Sequence, residues 1–220
     1  MNKLNIANEN RVVSFFQGNI KLVLYSIAII AAVFFSYNFW QKRQNEYINA
    51  SSYIYSQMLL AINNADAKAT HKAAQALIKE YKNTVYAQIA ALQLAKEAVE
   101  VDELDLATVR LQWVVSQKNP ITKSIAATRL ARVLVINGET EAALNLIDKE
   151  YDKNYVFLFE EARAMAFLAQ DNKDAAREAL LLAYKQMPEE NVLTEQKNKA
   201  PWLELQMRDV GAFVDKSENT

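Results

Sequence analysis

Residues 22–40 form an unbroken stretch of nineteen residues without a charge. At about 1.5 Å of rise per residue it makes roughly 28 Å of helix, close to the ~30 Å hydrocarbon thickness of a bilayer. From Glu46 the pattern changes. Apolar residues now recur every three to four positions, starting with Tyr47, Ile54, Met58 and Ile62, which is the spacing of one helix face. The same period returns over residues 86–99, 104–115, 125–136, 142–147, 157–168 and 175–184. No stretch alternates apolar and polar residues as a half-buried strand would. Gly138 reads as a helix C-terminal stop and Asn119-Pro120 as a break between helices. Pro201 opens a last helix expected to carry Trp202, Leu205, Val210 and Phe213 on its apolar face.

The uncharged stretch predicts an uncleaved single-pass anchor. A cleaved signal peptide has a shorter apolar core followed by small residues, whereas here Ala28, Ala31 and Ala32 lie mid-stretch and Val33, Phe34, Phe35, Tyr37, Phe39 and Trp40 continue it. Lys21 precedes the span, and Trp40, Lys42 and Arg43 close it as interfacial aromatic and snorkelling basic residues. Lys3, Arg11 and Lys21 against Lys42 and Arg43 favour the N-terminus inside by three side chains to two. The expected division is a cytoplasmic head at 1–20, an anchor at 21–41, a helical domain at 44–188, a polar linker at 189–200 and a capping helix at 201–214. Ala28, Ala32 and Ser36 fall four apart on one face of the anchor, a spacing that lets another membrane helix approach closely. A chance ridge in an alanine-containing span gives the same pattern.

Composition supports an all-α domain. Three glycines and three prolines in 220 residues leave few tight turns. The absence of cysteine removes disulfides and thiol chemistry. Beyond Arg43 there are 20 Lys and Arg against 25 Asp and Glu. That balance lacks the basic face that phosphate binding requires, and argues against nucleic acid.

The paired helices carry a faint repeat. Ala176, Leu180, Ala183 and Pro188, preceded by Ala164 and Phe167, resemble the tetratricopeptide unit, whose small residues let two helices of a hairpin pack closely. Leu130, Ala131, Leu134, Gly138, Ala143 and Ile147 form a second unit, and Leu94, Ala95, Ala98, Ala107, Leu111 and Val114 a third. Leu60, Ala61, Ala73 and Leu77 form the first. The anchor alanines Ala73, Ala107, Ala143 and Ala176 are 34, 36 and 33 residues apart. Arg163 stands where leucine is usual, and Glu80 and Glu150 where a small residue is usual. An irregular helical bundle remains the alternative to a repeat superhelix.

One anchor, a membrane-proximal Trp40 and a tetratricopeptide-like domain make a layout that resembles the YfgM-type proteins, ancillary subunits of the bacterial Sec translocon. The strings carrying the resemblance are Asn8-Glu9-Asn10 before the span, Phe39-Trp40-Gln41 after it, residues 174–180 from Asp174 to Leu180, and residues 203–210 from Leu203 to Val210. Ala164, where glycine is expected, and the polar insertion at 189–200 depart from it. The resemblance implies a helical domain in the periplasm, anchored in the inner membrane. It implies association with Sec translocon subunits and with a membrane-anchored periplasmic chaperone of the prolyl-isomerase type, to the benefit of exported client proteins. It also links the cytoplasmic head to a stress-response regulator.

Candidate chemistry is sparse. His71 is the only histidine and lies in a polar stretch, so neither a usual metal site nor a triad is expected. Glu160 and Glu161 are adjacent and point apart on a helix, which prevents a shared proton. Asp102, Glu103, Asp105, Glu139 and Glu141 sit at helix starts, where capping and the macrodipole explain them. Gly18, Gly138 and Gly211 make no phosphate loop. No cofactor, metal or catalytic residue is expected. A protein-binding surface is. In tetratricopeptide arrays the first helix of each pair lines the concave face, which here implies Met58, Ile62, Ile89, Leu92, Lys96, Val99, Arg132, Val135, Leu158, Glu161, Met165 and Leu168. The same residues could instead be core, since periodicity alone does not separate groove from core. The expected function is a non-catalytic membrane scaffold. A tethered cytoplasmic repeat receptor and an enzyme with an unrecognised site are the alternatives.

Overall fold

The computed structural model describes residues 20–187 and 201–212. The head, the polar linker at 189–200, Pro188, Phe213 and the tail lie outside these residues. The described chain is helical: α1 (Ile20–Asn63), α2 (Ala67–Glu80), α3 (Val85–Glu100), α4 (Leu104–Val115), α5 (Pro120–Ile136), α6 (Thr140–Glu150), α7 (Val156–Ala169), α8 (Lys173–Gln186) and α9 (Pro201–Asp209). It divides into two compact units between Ala50 and Ser51.

In the first unit, the described part of α1 is apolar and exposed. Leu22, Leu24, Ile27, Ile29, Ile30, Phe34, Phe35 and Trp40 all face outward. Two of the polar side chains within it are bonded to their own helix. Ser26 donates to the Leu22 carbonyl at 2.9 Å and Asn38 to the Phe34 carbonyl at 2.8 Å, which lowers the cost of carrying them in an apolar medium. The segment is long and apolar enough to cross a membrane. Arg43 lies 5.5 Å from the centre of the Phe39 ring, and Tyr37 pairs with Trp40. The sequence divides anchor from domain near residue 42, yet α1 runs unbroken to Asn63. No glycine or proline occurs between Ile20 and Asn63 to end it.

The second unit stacks four hairpins: the end of α1 with α2, then α3–α4, α5–α6 and α7–α8, closed by α9. First helices touch one another along an inner layer (α3 with α5, α5 with α7), while α4 and α6 each lie between their own first helix and the next. Every hairpin turns through the same device. Ala65, Asp102, Gly138 and Asp171 each adopt a positive φ, at 53°, 61°, 81° and 57°. The amide after each returns to a carbonyl five residues back: Asp66 to Ala61, Glu103 to Ala98, Glu139 to Leu134 and Asn172 to Phe167. This is the Schellman end of a helix, which glycine adopts freely and other residues only at a cost. Gly138 is the stop that the sequence predicts. The other three turns use alanine or aspartate, which explains how so few glycines serve so many hairpins. Side chains cap the opposite ends. Asp66, Thr84, Asn119 and Asn172 accept amide hydrogens from the first turns of α2, α3, α5 and α8. Pro120 occupies the first turn of α5, so that helix begins five residues before the expected 125.

The left-handed residues fix the repeat frame. They lie 37, 36 and 33 residues apart. Five positions after them come Thr70, Ala107, Ala143 and Ala176, all at most 2% exposed. The first unit read from the sequence is therefore out of register: Ala73 is only partly buried, and Thr70 is its structural counterpart. The 34-residue period placed it three residues late, because the first repeat is longer. Small residues at these points bring paired helices close, and Leu77, Leu111, Ile147 and Leu180 fill the space beneath at no more than 1% exposure.

The departures from the repeat pattern have partners. Glu150 bonds Lys123 of α5 at 2.7 Å. Arg163 bonds Asp148 of α6 at 2.6 Å, reaches Glu160 at 3.3 Å and lies over the Tyr151 ring. On α9 the buried face is Leu203 and Met207, continued by Val210 and Ala212. Trp202 and Leu205, expected inside, are exposed. Arg177 fixes this cap by donating from Nε to the Val210 carbonyl at 2.9 Å.

Candidate functional site

Counting back from each left-handed residue, positions thirteen, ten, six and three define one stripe of the first helices. Ile89, Leu92, Lys96 and Val99 fill it on α3. Ile125, Thr128, Arg132 and Val135 fill it on α5, and Leu158, Glu161, Met165 and Leu168 on α7. Ile62 belongs to the same stripe on α1. Met58 does not. It is one position off, 1% exposed, and packs with Leu77, Ala87 and Leu94 in the core, while also bordering the first cavity beside the exposed Leu59, which holds the stripe position.

Two neighbouring cavities open on this inner layer. The first, of about 490 Å³, is lined by α1, α3 and α5 through residues that include Leu59, Ile62, Ile89, Leu92, Ile125 and Arg129. The second, of about 350 Å³, involves Lys96, Val99, Arg129, Arg132, Ile136 and Met165. Eight of the twelve sequence-read positions line one or other cavity. Val135, Leu158, Glu161 and Leu168 line neither: Val135 packs against the core of the third and fourth hairpins, and Leu168 is exposed. Leu92, although it lines the first cavity, is only 6% exposed and belongs to the core.

Charge is distributed unevenly. Arg132 of α5 pairs with Glu161 of α7. Burial raises the Glu161 carboxyl above its ordinary range, and the Arg132 charge offsets this only in part. Arg132 Nε is buried without a hydrogen-bond partner. Glu160 points the other way, to Arg163 and Tyr151, so the adjacent carboxylates do not meet, as their helical spacing requires. Arg129, which the sequence pattern passes over, lines both cavities. It lies nine positions before Gly138. The matching residues are Gln93, which bonds Glu97 at 3.0 Å, and the buried Ala162. A charge where its counterparts are internally satisfied is the signal that could have found it.

The other candidates are peripheral. His71 is exposed and bonds Gln75, one turn away, at 2.7 Å. Asp105 and Glu141 occupy first helical turns, but Glu103 and Glu139 make no capping hydrogen bond and Asp102 is itself a left-handed turn residue. These acids act through the dipole rather than as caps. No group of His, Cys, Asp and Glu suited to a metal occurs among the described residues. Ala28, Ala32 and Ser36 are exposed on α1.

The chain is similar to proteins named ancillary SecYEG translocon subunit. That of Escherichia coli (strain K12) is 27% identical over 177 residues, 78% of this chain and 85% of the relative. That of Neisseria gonorrhoeae (strain ATCC 700825 / FA 1090) is 26% identical over 174 residues, 77% and 82%. That of Aggregatibacter actinomycetemcomitans is 33% identical over 127 residues, 57% and 62%. The resemblance read from the layout of the sequence thus holds. No solved structure matches significantly. The family model for the tetratricopeptide repeat-like domain matches residues 13–212. With four hairpins turning on one repeated device and an inner layer of first helices, the chain belongs to the tetratricopeptide repeat-like domain family.

Proposed function

We propose that this protein is a non-catalytic scaffold of the bacterial inner membrane. Residues 21–41 cross the bilayer with the N-terminus in the cytoplasm. The repeat domain stands in the periplasm, binds Sec translocon subunits through its inner layer, and works beside a membrane-anchored chaperone of the prolyl-isomerase type on exported proteins. The observation that carries the reading is similarity to ancillary SecYEG translocon subunits along most of their length. The exposed apolar part of α1 and the two adjoining cavities support it. Ala28, Ala32 and Ser36 offer the anchor a close-packing ridge for a neighbouring membrane helix.

Orientation is tested by fusing alkaline phosphatase after Thr220. Activity is the expected outcome. An inactive fusion, with a cytoplasmic reporter active at the same point, would favour the cytoplasmic-receptor reading. Crosslinking in intact membranes followed by mass spectrometry tests the partners. Recovery of translocon components and the chaperone is expected; recovery of neither removes the reading.

A further inference from the structure

Arg129 holds no internal partner. Its guanidinium takes part in none of the hydrogen bonds or ion pairs among the described residues, and its charged neighbour, Arg132, repels it. Partial desolvation by its surroundings and that repulsion both disfavour its charge, while the side chain stays exposed and so accessible to an occupant of the groove. The other cationic side chains of the inner layer differ in this. Lys96 is 3.6 Å from Glu100, and Arg132 is paired with Glu161. Arg129 also stands where the two cavities adjoin, with Ile89, Leu92 and Ile125 on one side and Val99, Ile136 and Met165 on the other. An occupant that is apolar throughout would press against an unpaired guanidinium. An occupant with apolar side chains on either side of one carboxylate would satisfy it.

Resting on the reading of the inner layer as a binding surface, we propose that the groove takes a polypeptide segment in which apolar residues flank an aspartate or glutamate, with the carboxylate accepting hydrogen bonds from Arg129. Guanidinium and carboxylate match as a two-pronged pair, and charge-assisted bonds of this kind strengthen where water is partly excluded. The flanking apolar side chains enter the two cavities, and Met165 adapts to their shape. The groove would thus select acidic–apolar segments over basic ones, which like charge disfavours.

The test uses the full chain in lipid nanodiscs, with empty nanodiscs as the blank. The probes are two short fluorescent peptides, both leucine-rich, one with a central aspartate and the other with asparagine in its place. Fluorescence anisotropy is expected to show the aspartate peptide binding about tenfold tighter. Arg129→Gln should reduce that preference to parity and leave the asparagine peptide unaffected, and Arg129→Lys should keep part of it. Equal affinities for wild type, or a preference that survives Arg129→Gln, overturn the carboxylate assignment and leave the groove standing. Failure of both peptides to bind overturns the groove reading itself. An unchanged helical circular dichroism signal in the variants shows that the domain remains folded.

Discussion

Between α1 and α4 the hairpins are held by apolar contacts: Met58 and Leu77 with Ala87 and Leu94, then Leu92 with Leu111 and Val114. The polar tie onward to α5 is neutral, the Thr122 hydroxyl donating to Gln88 Oε1. Between α5 and α8 the same hairpin geometry is laced with charge, through Lys123–Glu150, Arg132–Glu161 and Asp148–Arg163–Glu160. The difference shows that the repeat specifies backbone turns and small buried residues, and leaves the cross-helix chemistry free. Both cavities combine aliphatic residues with Arg129; neutral Gln93, Asn119 and Thr122 join the first, and Lys96, Glu100 and Arg132 the second.

Breaking each half should reveal this division. The largest effect is expected from Leu92→Glu, which places an unpaired carboxylate in the apolar half; it should cost several kcal/mol, on the order of 3 or more, and lower the urea midpoint sharply. The exposed Leu168→Glu should stay within about 0.5 kcal/mol. Equal losses would show that burial does not separate the two positions. Next comes Arg163→Met, which removes the only cation paired with the buried Glu160 and leaves it the Tyr151 hydroxyl alone; it should cost about 3 kcal/mol. Its counterpart in the first half, Gln88→Leu, leaves the Thr122 hydroxyl only its long bond to the Asn119 carbonyl and should cost about 1 kcal/mol. If Gln88→Leu proved the costlier, the contrast between neutral and charged ties would fail.

Smaller effects probe what the halves share. Gly138→Ala should destabilise by about 1 kcal/mol, because alanine is strained at its φ of 81°. The reverse change in the first hairpin, Ala65→Gly, should stabilise by about 0.5 kcal/mol, the relief of strain exceeding the added chain entropy. Loss of stability on Ala65→Gly would contradict the Schellman account of the turns. The most subtle effect belongs to Glu161. Its carboxyl is raised on folding from an ordinary value of 4.5, so the folded state binds its proton more tightly. That contribution is complete below the unfolded pKa and is lost as pH rises through the folded one. The stability difference between wild type and Glu161→Gln should therefore shift against wild type across that window. A shift in the opposite direction would mean that the Arg132 pair outweighs burial.

Much of this architecture is legible in the residues. The three-to-four spacing locates the helices, and Gly138 marks a turn by the one property, free positive φ, that its residue type advertises. The other turns hide, because Ala65, Asp102 and Asp171 reach the same conformation without a telling side chain. That concealment moved the first unit to Ala73, where the structure has Thr70. The stripe on α3, α5 and α7 is readable because its period is local. Whether a stripe residue is groove or core is not, since that depends on what a neighbouring hairpin covers: Leu92 is sealed and Leu168 is open. Arg129 escapes the pattern because it lies beside the stripe rather than on it, and its lack of a partner is a property of the fold.

Under the proposed function, the inner layer of first helices meets translocon components and exported chains beside the membrane. Photo-crosslinking in intact membranes tests it most directly, with a photoreactive amino acid placed at Ile89 or Met165 on the cavities and, for comparison, at His71 on the exposed face of α2. Adducts to translocon subunits or exported polypeptides from Ile89 and Met165, but not from His71, are the predicted result. Adducts to those proteins from His71 alone, or from no position, would contradict it.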